Sequence, residues 1–281
     1  MPDNIRERIL SAWHSDSHLS LVTPHEISVE IADSLPVFGF ALHVGNSIRD
    51  DLLPKLNLAR KQMLKEEDPG TEKLIESLPN RIYPLFSRFE CDLNRPKIGC
   101  PVEDAVYTEP SLAWDLEVYR PSLTREEIDR SLEAYKEFYW LVEGLCQEIE
   151  KRHDFGVLID MHTYNTRGRK NLPDIHLGTK HQSEERFSDD ICRFLNYLRQ
   201  VKIHGKPLSV IENDVRIGFF GGRLNRWVAE KFSNILVLSL EMKKFFMDED
   251  EGHFYEDTFS ELKSEMNKVF SRLIDDVRKR V

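Results

Sequence analysis

The sequence predicts an α/β fold of three layers, in which helices cover both faces of a mixed, mostly parallel central sheet. Two apolar runs, residues 156–159 and 235–240, have the length and composition of strands that are buried on both faces. Two long amphipathic segments, residues 121–152 and 254–281, predict helices that pack on such a sheet.

The remaining elements are predicted from local patterns of apolar residues. Residues 1–25 are expected to form a peripheral leader, and residues 172–179 an irregular loop. The other segments are a half-exposed strand at 26–31, a strand at 36–43, a helix at 48–66 broken near Pro54, short extended segments at 81–86 and 89–93, a helix at 183–202 and a strand at 207–211.

Length and charge limit the class of protein. A chain of 281 residues with 40% hydrophobic residues can bury a sizeable core, and we predict a single domain over residues 1–281. The formal net charge of -10 argues against a general nucleic-acid-binding protein. The N-terminus has no apolar signal core, and no apolar run approaches the length of a membrane span, so we expect a cytoplasmic protein without a membrane partner.

Two histidines lie where predicted strands end. His43 closes the strand at 36–43, and His162 follows the apolar run at 156–159. Asp160 is two residues before His162, so on an extended chain the two side chains leave the same face and the carboxylate could orient the imidazole. That pairing suits a metal ligand and its outer partner. A core histidine with a hydrogen bond is the alternative interpretation.

Acidic residues occur at two informative positions. Glu241 ends the second apolar run, where burial of an unpaired carboxylate is costly and raises its pKa, as in a general base. Glu66, Glu67 and Asp68 precede a Pro-Gly turn. This cluster is either a solvated helix end or the source of an oxygen ligand for a metal.

Arginines are concentrated after the extended segments at 81–93. Guanidinium groups match carboxylates bidentately, so Arg88 and Arg95 together could hold an anionic substrate. An internal ion pair with Asp92 or Glu90 is the alternative.

Two later loops are candidates for substrate contacts. His176 lies in the expected loop at 172–179, at the end of the sheet where α/β proteins bind ligands. The segment 213–222, with Gly221 and Gly222, could close over a small ligand or form a hairpin turn.

The strand-end residues combine two histidines, a carboxylate, a further glutamate and two arginines. This set is typical of a zinc hydrolase that acts on an amide beside a carboxylate. No G-x-S-x-G sequence is present, which disfavours a serine hydrolase, and neither G-x-G-x-x-G nor a Walker A sequence provides a nucleotide cradle.

The segment Ser-Arg-Phe-Glu-Cys-Asp-Leu-Asn-Arg-Pro at 87–96 resembles the S-R-[FY]-x-x-D-L-N-R-P signature of N-formylglutamate amidohydrolases. Further segments appear in the order expected for that family, and the resemblance spans about residues 36–250. These segments are 41–45, 66–69, 160–165 and 241–249.

The resemblance implies a fold similar to zinc carboxypeptidases and aspartoacylases, and hydrolysis of a small anionic N-acyl amino acid such as N-formyl-L-glutamate. It implies that His43 and His162 ligate Zn²⁺, and that Glu241 is the general base. It also implies that Arg88 polarises the scissile carbonyl, while Asn94 and Arg95 hold the substrate carboxylate.

The sequence departs from the related H-x-x-E pattern, because Asn46 stands three residues after His43. The acidic ligand must therefore come from elsewhere, and Glu67 or Asp68 is the candidate. A carboxypeptidase-like peptidase and an amino-acid-binding relative without metal remain as alternatives, the latter because of Asn46. The sequence carries no signal of oligomeric state.

Overall fold

A computed structural model describes residues 2–97, 99–215 and 219–281. Its main feature is an eight-stranded sheet with the strand order β1-β2-β4-β3-β5-β10-β6-β9, beside a separate hairpin of β7 and β8. The strands are β1 (Leu19–Val22), β2 (Ile27–Ile31), β3 (Val37–Phe40), β4 (Asn80–Pro84), β5 (Gly156–Tyr164), β6 (Ile175–Gly178), β7 (Lys202–Ile203), β8 (Lys206–Pro207), β9 (Val210–Glu212) and β10 (Ile235–Lys243).

The four central strands, β4, β3, β5 and β10, all run parallel. Antiparallel pairs flank this block, β2 on one side and β6 on the other. The sheet is therefore mixed and mostly parallel at its centre, as the sequence predicts.

Helices cover both faces of the sheet and produce three layers. One core joins α1, α4 and α6 to the sheet, and we call that side the α4 face. A second core joins α3, α5 and α7 to the opposite side, the α7 face. The helices are α1 (Pro2–His14), α2 (Arg60–Glu66), α3 (Thr71–Leu74), α4 (Arg125–Arg152), α5 (Glu184–Leu198), α6 (Arg223–Lys231) and α7 (Glu256–Arg278).

The predicted α/β class is thus confirmed, and so are the two long helices. Thr124 caps α4 through a capping box with Glu127, which fixes the start of that helix. None of the helices in the described ranges is both long and apolar enough to cross a membrane.

Strict alternation along β5 determines which side chains reach each face. Val157, Ile159 and Met161 pack on the α7 face, whereas Leu158 packs on the α4 face. By the same period of two, Asp160 and His162 continue the row of Leu158. Apolar residues thus occupy the α7 face from Val157 to Met161, while the α4 face carries polar residues from Asp160 onward.

Several local predictions are wrong or only partly correct. Of the helix expected at 48–66, only a short 3-10 helix at Leu53–Lys55 and α2 are helical, and the strand expected at 207–211 is divided between β8 and β9. Residues 175–178 form β6 within the expected loop, where β10 supplies the hydrogen-bonding partner of the strand. The prediction failed because four residues are too few to show the alternating apolar pattern of a strand. Residues 89–93 form turns instead of an extended segment, since Glu90 donates its backbone N–H to Ser87 O at 2.9 Å.

The peripheral leader expected at residues 1–25 is also wrong. This segment contains α1 and the edge strand β1, and Trp13 is only 1% exposed. The indole packs edge-on against Phe38 of β3, and its Nε1 donates to Leu35 O at 3.1 Å. The N-terminal helix is therefore part of the core on the α4 face.

We expect Trp13→Ala to lower the free energy of unfolding by about 3–5 kcal/mol, because it removes a buried ring and leaves a cavity. Urea denaturation measures this change. Val22→Ala on the neighbouring strand β1, where Val22 is 56% exposed, is the control and should stay within about 0.5 kcal/mol of the wild type. A small effect of Trp13→Ala would mean that α1 does not support the core.

Candidate metal centre and active site

Four parallel strands bring the predicted site residues to one edge of the sheet. His43 follows β3, Arg88 follows β4, and His162 lies near the end of β5. Glu241 is in register with His162 on the adjacent strand β10. The carboxyl ends of parallel strands meet at the same edge, which is the usual ligand-binding position in such sheets.

At this edge His43, His162 and Asp68 form a buried group of metal-ligand type. The Nδ1 atoms of the two histidines are 3.2 Å apart. Asp68 Oδ2 lies 3.2 Å from His43 Nδ1 and 3.1 Å from His162 Nδ1. Donors around a tetrahedral zinc ion are roughly 3.3 Å apart, given metal–ligand distances near 2.0 Å. The two nitrogens and one oxygen therefore fit a zinc ion in both type and spacing.

A carboxylate also faces the outer nitrogen of each histidine. Asp92 Oδ1 is 2.8 Å from His43 Nε2, and Asp160 Oδ1 is 2.9 Å from His162 Nε2. The second contact has the distance of an ion pair but lacks the alignment of a hydrogen bond. Outer carboxylates of this kind orient imidazole ligands, which is the role predicted for Asp160.

Asp92 is the most heavily shared side chain of the site. Besides contacting His43, it accepts hydrogen bonds from Arg88 Nη2 at 2.6 Å, from the hydroxyl of Tyr107, and from the backbone N–H of Asn94 at 2.8 Å. Burial alone would raise the pKa of Asp92, but Arg88 and His43 hold that pKa well below its usual range. One buried carboxylate therefore positions both a histidine and an arginine. The ion pair between Arg88 and Asp92, which was the predicted alternative, is present, and Arg88 also lines the cavity described below.

Of the two candidate acidic ligands, Asp68 lies with the histidines and Glu67 does not. Glu67 instead accepts from Ser87 Oγ at 2.6 Å and pairs with Arg60. Asp68 is held in place from its other oxygen by Thr163 Oγ1, at 2.8 Å. Asn46 is exposed, and its backbone N–H donates to Leu85 O. Asn46 therefore lies outside this group, and Asp68 is the acidic residue beside the two histidines.

Glu241 lies beside this group with little solvation. Its Oε2 is buried and has no hydrogen-bond partner in the described part of the chain. Burial raises the pKa of Glu241 to about 8, against the opposing charge of His162. Burial thus increases the affinity of this carboxylate for a proton.

A cavity of about 360 Å³ opens onto these residues and is lined mainly by polar groups. Trp114 forms part of its wall, and three guanidinium groups lie over its ring, those of Arg88 at 4.8 Å, Arg167 at 5.5 Å and Arg95 at 6.0 Å. The lining residues are His43, Lys65, Glu66, Asp68, Arg88, Asn94, Arg95, Trp114, Thr163, Tyr164, Asn165, Arg167, Arg169, Phe219 and Glu241.

A second cavity of about 320 Å³ lies on the far side of Asn94 and Arg95. It shares these two residues, Phe219 and Glu241 with the first cavity. Its additional wall is mostly basic and includes Lys97, His181, Arg223 and Arg226. The site therefore presents positive charge on both sides of Arg95, although the chain as a whole is acidic.

His176 was predicted to be a loop residue that contacts substrate, and the structure differs from this prediction. It lies within β6, is fully buried, and is in register with Glu241. Its ring contacts Tyr164, with centroids 4.9 Å apart, and its Nδ1 is 3.5 Å from Asp214 Oδ2. Among the residues described, it lines neither cavity. Of the loop predicted at 213–222, residues 216–218 lie outside the described residues.

Sequence reasoning missed several residues of the site. Asp92 was predicted only as a possible ion-pair partner of an arginine. Its position inside the segment 87–96, which resembles the family signature, could have identified it as a site residue. Tyr107 and Trp114 come from an irregular stretch with no recognisable motif. Thr163 directly follows His162, but no role was predicted for it. Only the folded chain brings these side chains together.

Comparisons with known proteins bear on the family and the fold of this chain. The sequence model of the N-formylglutamate amidohydrolase family matches residues 35–246. The structure of an N-formylglutamate amidohydrolase from Ralstonia eutropha is 16% identical, with a TM-score of 0.74 over 92% of this chain and 100% of that chain. A protein from Agrobacterium tumefaciens is 20% identical, with a TM-score of 0.60 over 89% of this chain and 98% of that chain. At these identities the two structures bear on the fold alone. A search of curated proteins finds no match.

We expect Asp92→Asn to lower the free energy of unfolding by about 3–5 kcal/mol, because it leaves the charge of Arg88 buried without its partner. Tyr107→Phe removes one hydrogen bond to the same carboxylate and should cost less, about 1.5–3 kcal/mol. Urea denaturation of both variants gives the comparison. Equal losses in the two variants would show that the Arg88 charge does not depend on Asp92.

Proposed function

Because the chain belongs to the N-formylglutamate amidohydrolase family, we propose that it hydrolyses the amide bond of a small anionic N-acyl amino acid, such as N-formyl-L-glutamate, with the help of a zinc ion. The observation that carries this proposal is the convergence of His43, His162 and Asp68 beside Glu241 in a basic cavity.

In this proposal His43, His162 and Asp68 hold the zinc ion. A zinc ion in such a site acts as a Lewis acid and makes water acidic enough to lose a proton near neutral pH. The outer carboxylates of Asp92 and Asp160 keep each imidazole turned toward the centre of the group.

Glu241 is the general base. It takes a proton from the attacking water as the water oxygen adds to the amide carbonyl carbon. It then delivers that proton to the leaving nitrogen, and the carbon–nitrogen bond breaks to release a carboxylic acid and the free amino acid. Within residues 2–97, 99–215 and 219–281, Oε2 of Glu241 has no hydrogen-bond partner, and this supports the role because a base already engaged in hydrogen bonds would be less available.

Arg88 stabilises the negative charge that develops on the carbonyl oxygen. Its Nη1 donates to Glu66 O at 2.7 Å and its Nη2 to Asp92, so the guanidinium is fixed before substrate arrives. Donors that need no rearrangement stabilise a developing oxyanion most effectively.

Asn94 and Arg95 bind the carboxylate of the substrate. Asn94 Oδ1 accepts from the backbone N–H of Arg223 at 2.5 Å, so Nδ2 is the group that Asn94 offers to a ligand. Arg95 lines both cavities, with its Nε 3.9 Å from Asp92. The basic residues around both cavities support an anionic substrate, since a local field inside a pocket outweighs the distant net charge.

The retained His/Asp/His group argues against a binding protein that has lost its metal. A carboxypeptidase-like peptidase remains the alternative reaction, and peptides with a free carboxyl terminus are the comparison substrates that distinguish it.

The first test is zinc content together with hydrolysis of N-formyl-L-glutamate, before and after removal of metal by a chelator. We expect close to one zinc ion per chain, release of glutamate, and loss of that release on chelation, restored by added zinc. Zinc without activity on any N-acyl amino acid would contradict the proposed reaction. Absence of bound metal after zinc is supplied would contradict the metal site.

Glu241→Gln should lower kcat by about 10²- to 10⁴-fold, because the amide cannot accept the proton of the attacking water. Zinc content should be unchanged, since Glu241 is outside the ligand group. Glu230→Gln on α6, a 56% exposed side chain, is the control and should leave kcat unchanged. A full kcat in Glu241→Gln would assign the base elsewhere.

Arg95→Gln should reduce kcat/KM by about 10- to 100-fold, mainly through a higher KM, because it removes a charged hydrogen bond to the substrate carboxylate. Steady-state kinetics on N-formyl-L-glutamate measure both constants. The matched control is Arg125→Gln, where the arginine is 66% exposed at the start of α4. An unchanged KM in Arg95→Gln would place the carboxylate at another group.

A further inference from the structure

The helix that leads into Asp68 ends in an unusual way. α2 has only seven residues, and its last helical hydrogen bond runs from Glu67 N to Met63 O at 2.9 Å. The carbonyls of residues 64–67 therefore have no partner within the helix. Such a short helix has little stability of its own, so these four carbonyls depend on groups from outside.

Lys244 supplies three of the required donors. It is 3% exposed, and its Nζ donates to Leu64 O at 3.0 Å, Lys65 O at 2.8 Å and Glu67 O at 2.6 Å. An ammonium group has three N–H donors, so this arrangement uses all of them. In the described part of the chain no carboxylate pairs with Lys244 within 4.0 Å. Its charge faces the carbonyls at the negative end of α2, and the carboxylates of Asp68, Glu249 and Glu66 also stabilise it from a greater distance.

The same helix end receives two more donors from residues that follow two other central strands. Arg88, after β4, donates to Glu66 O at 2.7 Å, and Asn165, after β5, donates to Lys65 O at 2.7 Å. Lys244 itself follows β10. Three of the four parallel central strands, β4, β5 and β10, are thus each followed by one side chain that reaches the end of α2, and together these side chains satisfy all four carbonyls.

This helix end also determines where Asp68 lies. Glu67 O, a carbonyl bound by Lys244, belongs to the peptide group that joins Glu67 to Asp68. Asp68 N donates to His43 O at 2.9 Å, which ties the same residue to the loop that carries the first histidine. The position of the Asp68 carboxylate relative to His43 and His162 is therefore fixed through its backbone.

We propose that Lys244 is a positioning residue of the metal site, which holds Asp68 at ligand distance from His43 and His162 by capping the carbonyls at the end of α2. This inference rests on the proposed function, because it assumes that Asp68 binds zinc. Lys244 does not line the cavity and touches neither substrate nor metal, so it acts only through the backbone of residues 64–67.

The test is the zinc dissociation constant of the purified full chain, measured by competition with a chromogenic chelator, for the wild type and Lys244→Met. We expect Lys244→Met to weaken zinc binding about 10- to 100-fold, the usual effect of losing an outer partner of a metal ligand. Cobalt substitution gives a second readout, because a displaced Asp68 should change the visible absorption of bound Co²⁺. Lys244→Gln keeps two N–H donors without the charge. Its zinc affinity should fall between those of the wild type and Lys244→Met.

Asn80→Leu is the matched control for lost stability. Asn80 is fully buried and also makes three hydrogen bonds to backbone groups, those of Ala32, Leu35 and Val37, but at the start of β4, far from the metal group. Asn80→Leu should lower the free energy of unfolding without changing the zinc dissociation constant.

The possible results distinguish the positioning role of Lys244 from the proposed function on which it rests. A wild type that binds no zinc would overturn both. A wild type that binds zinc while Lys244→Met binds it equally well would overturn the role of Lys244 alone. Equal weakening in Lys244→Met and Asn80→Leu would also overturn it, because the effect would then follow general stability. If Lys244→Met does not fold, Lys244→Gln decides between these results.

Discussion

The parallel register of β5 and β10 is the constraint on which the rest of the site depends. Their side chains alternate between the faces, so the same pairing that buries Ile159 and Leu238 on the α7 face brings His162 and Glu241 together on the other. A shift of one residue in either strand would separate Glu241 from His162 and also disrupt the apolar packing on the α7 face. The stability of the sheet and the chemistry at its edge are therefore set by one pairing.

Charge burial at this edge follows from the same geometry. Asp92, Asp68, Arg88 and Lys244 are all withdrawn from water, which would be prohibitive for isolated ions. Each is instead surrounded by opposite charge or by oriented backbone groups, and Asp92 and Arg88 compensate one another directly. The exception is Glu241, whose Oε2 has no hydrogen-bond partner among the described residues, as suits its proposed role as a base.

Much of this arrangement was predictable from local patterns, and the part that was not has a common cause. Apolar runs identify β5 and β10 because burial on both faces leaves a continuous signature, and His43, His162 and Glu241 stand at the ends of such runs. Glu67 and Asp68 could not be told apart, because they are adjacent and the choice depends on which carboxylate faces the histidines after folding. The burial of Trp13 and the strand around His176 were missed for a related reason, since their partners are distant in sequence.

The separation of His43, Asp68 and His162 along the chain has a consequence for how the proposed metal site forms. Asp68 is 25 residues from His43 and 94 residues from His162, so the unfolded chain brings them together only by closing long loops. The pairings of β3, β5 and β10 close those loops in the folded chain. Small zinc modules depend on metal for their folding, whereas two apolar cores on either side of the sheet stabilise this chain. If the three residues bind metal as proposed, we expect the chain to fold first and to take up the ion afterwards.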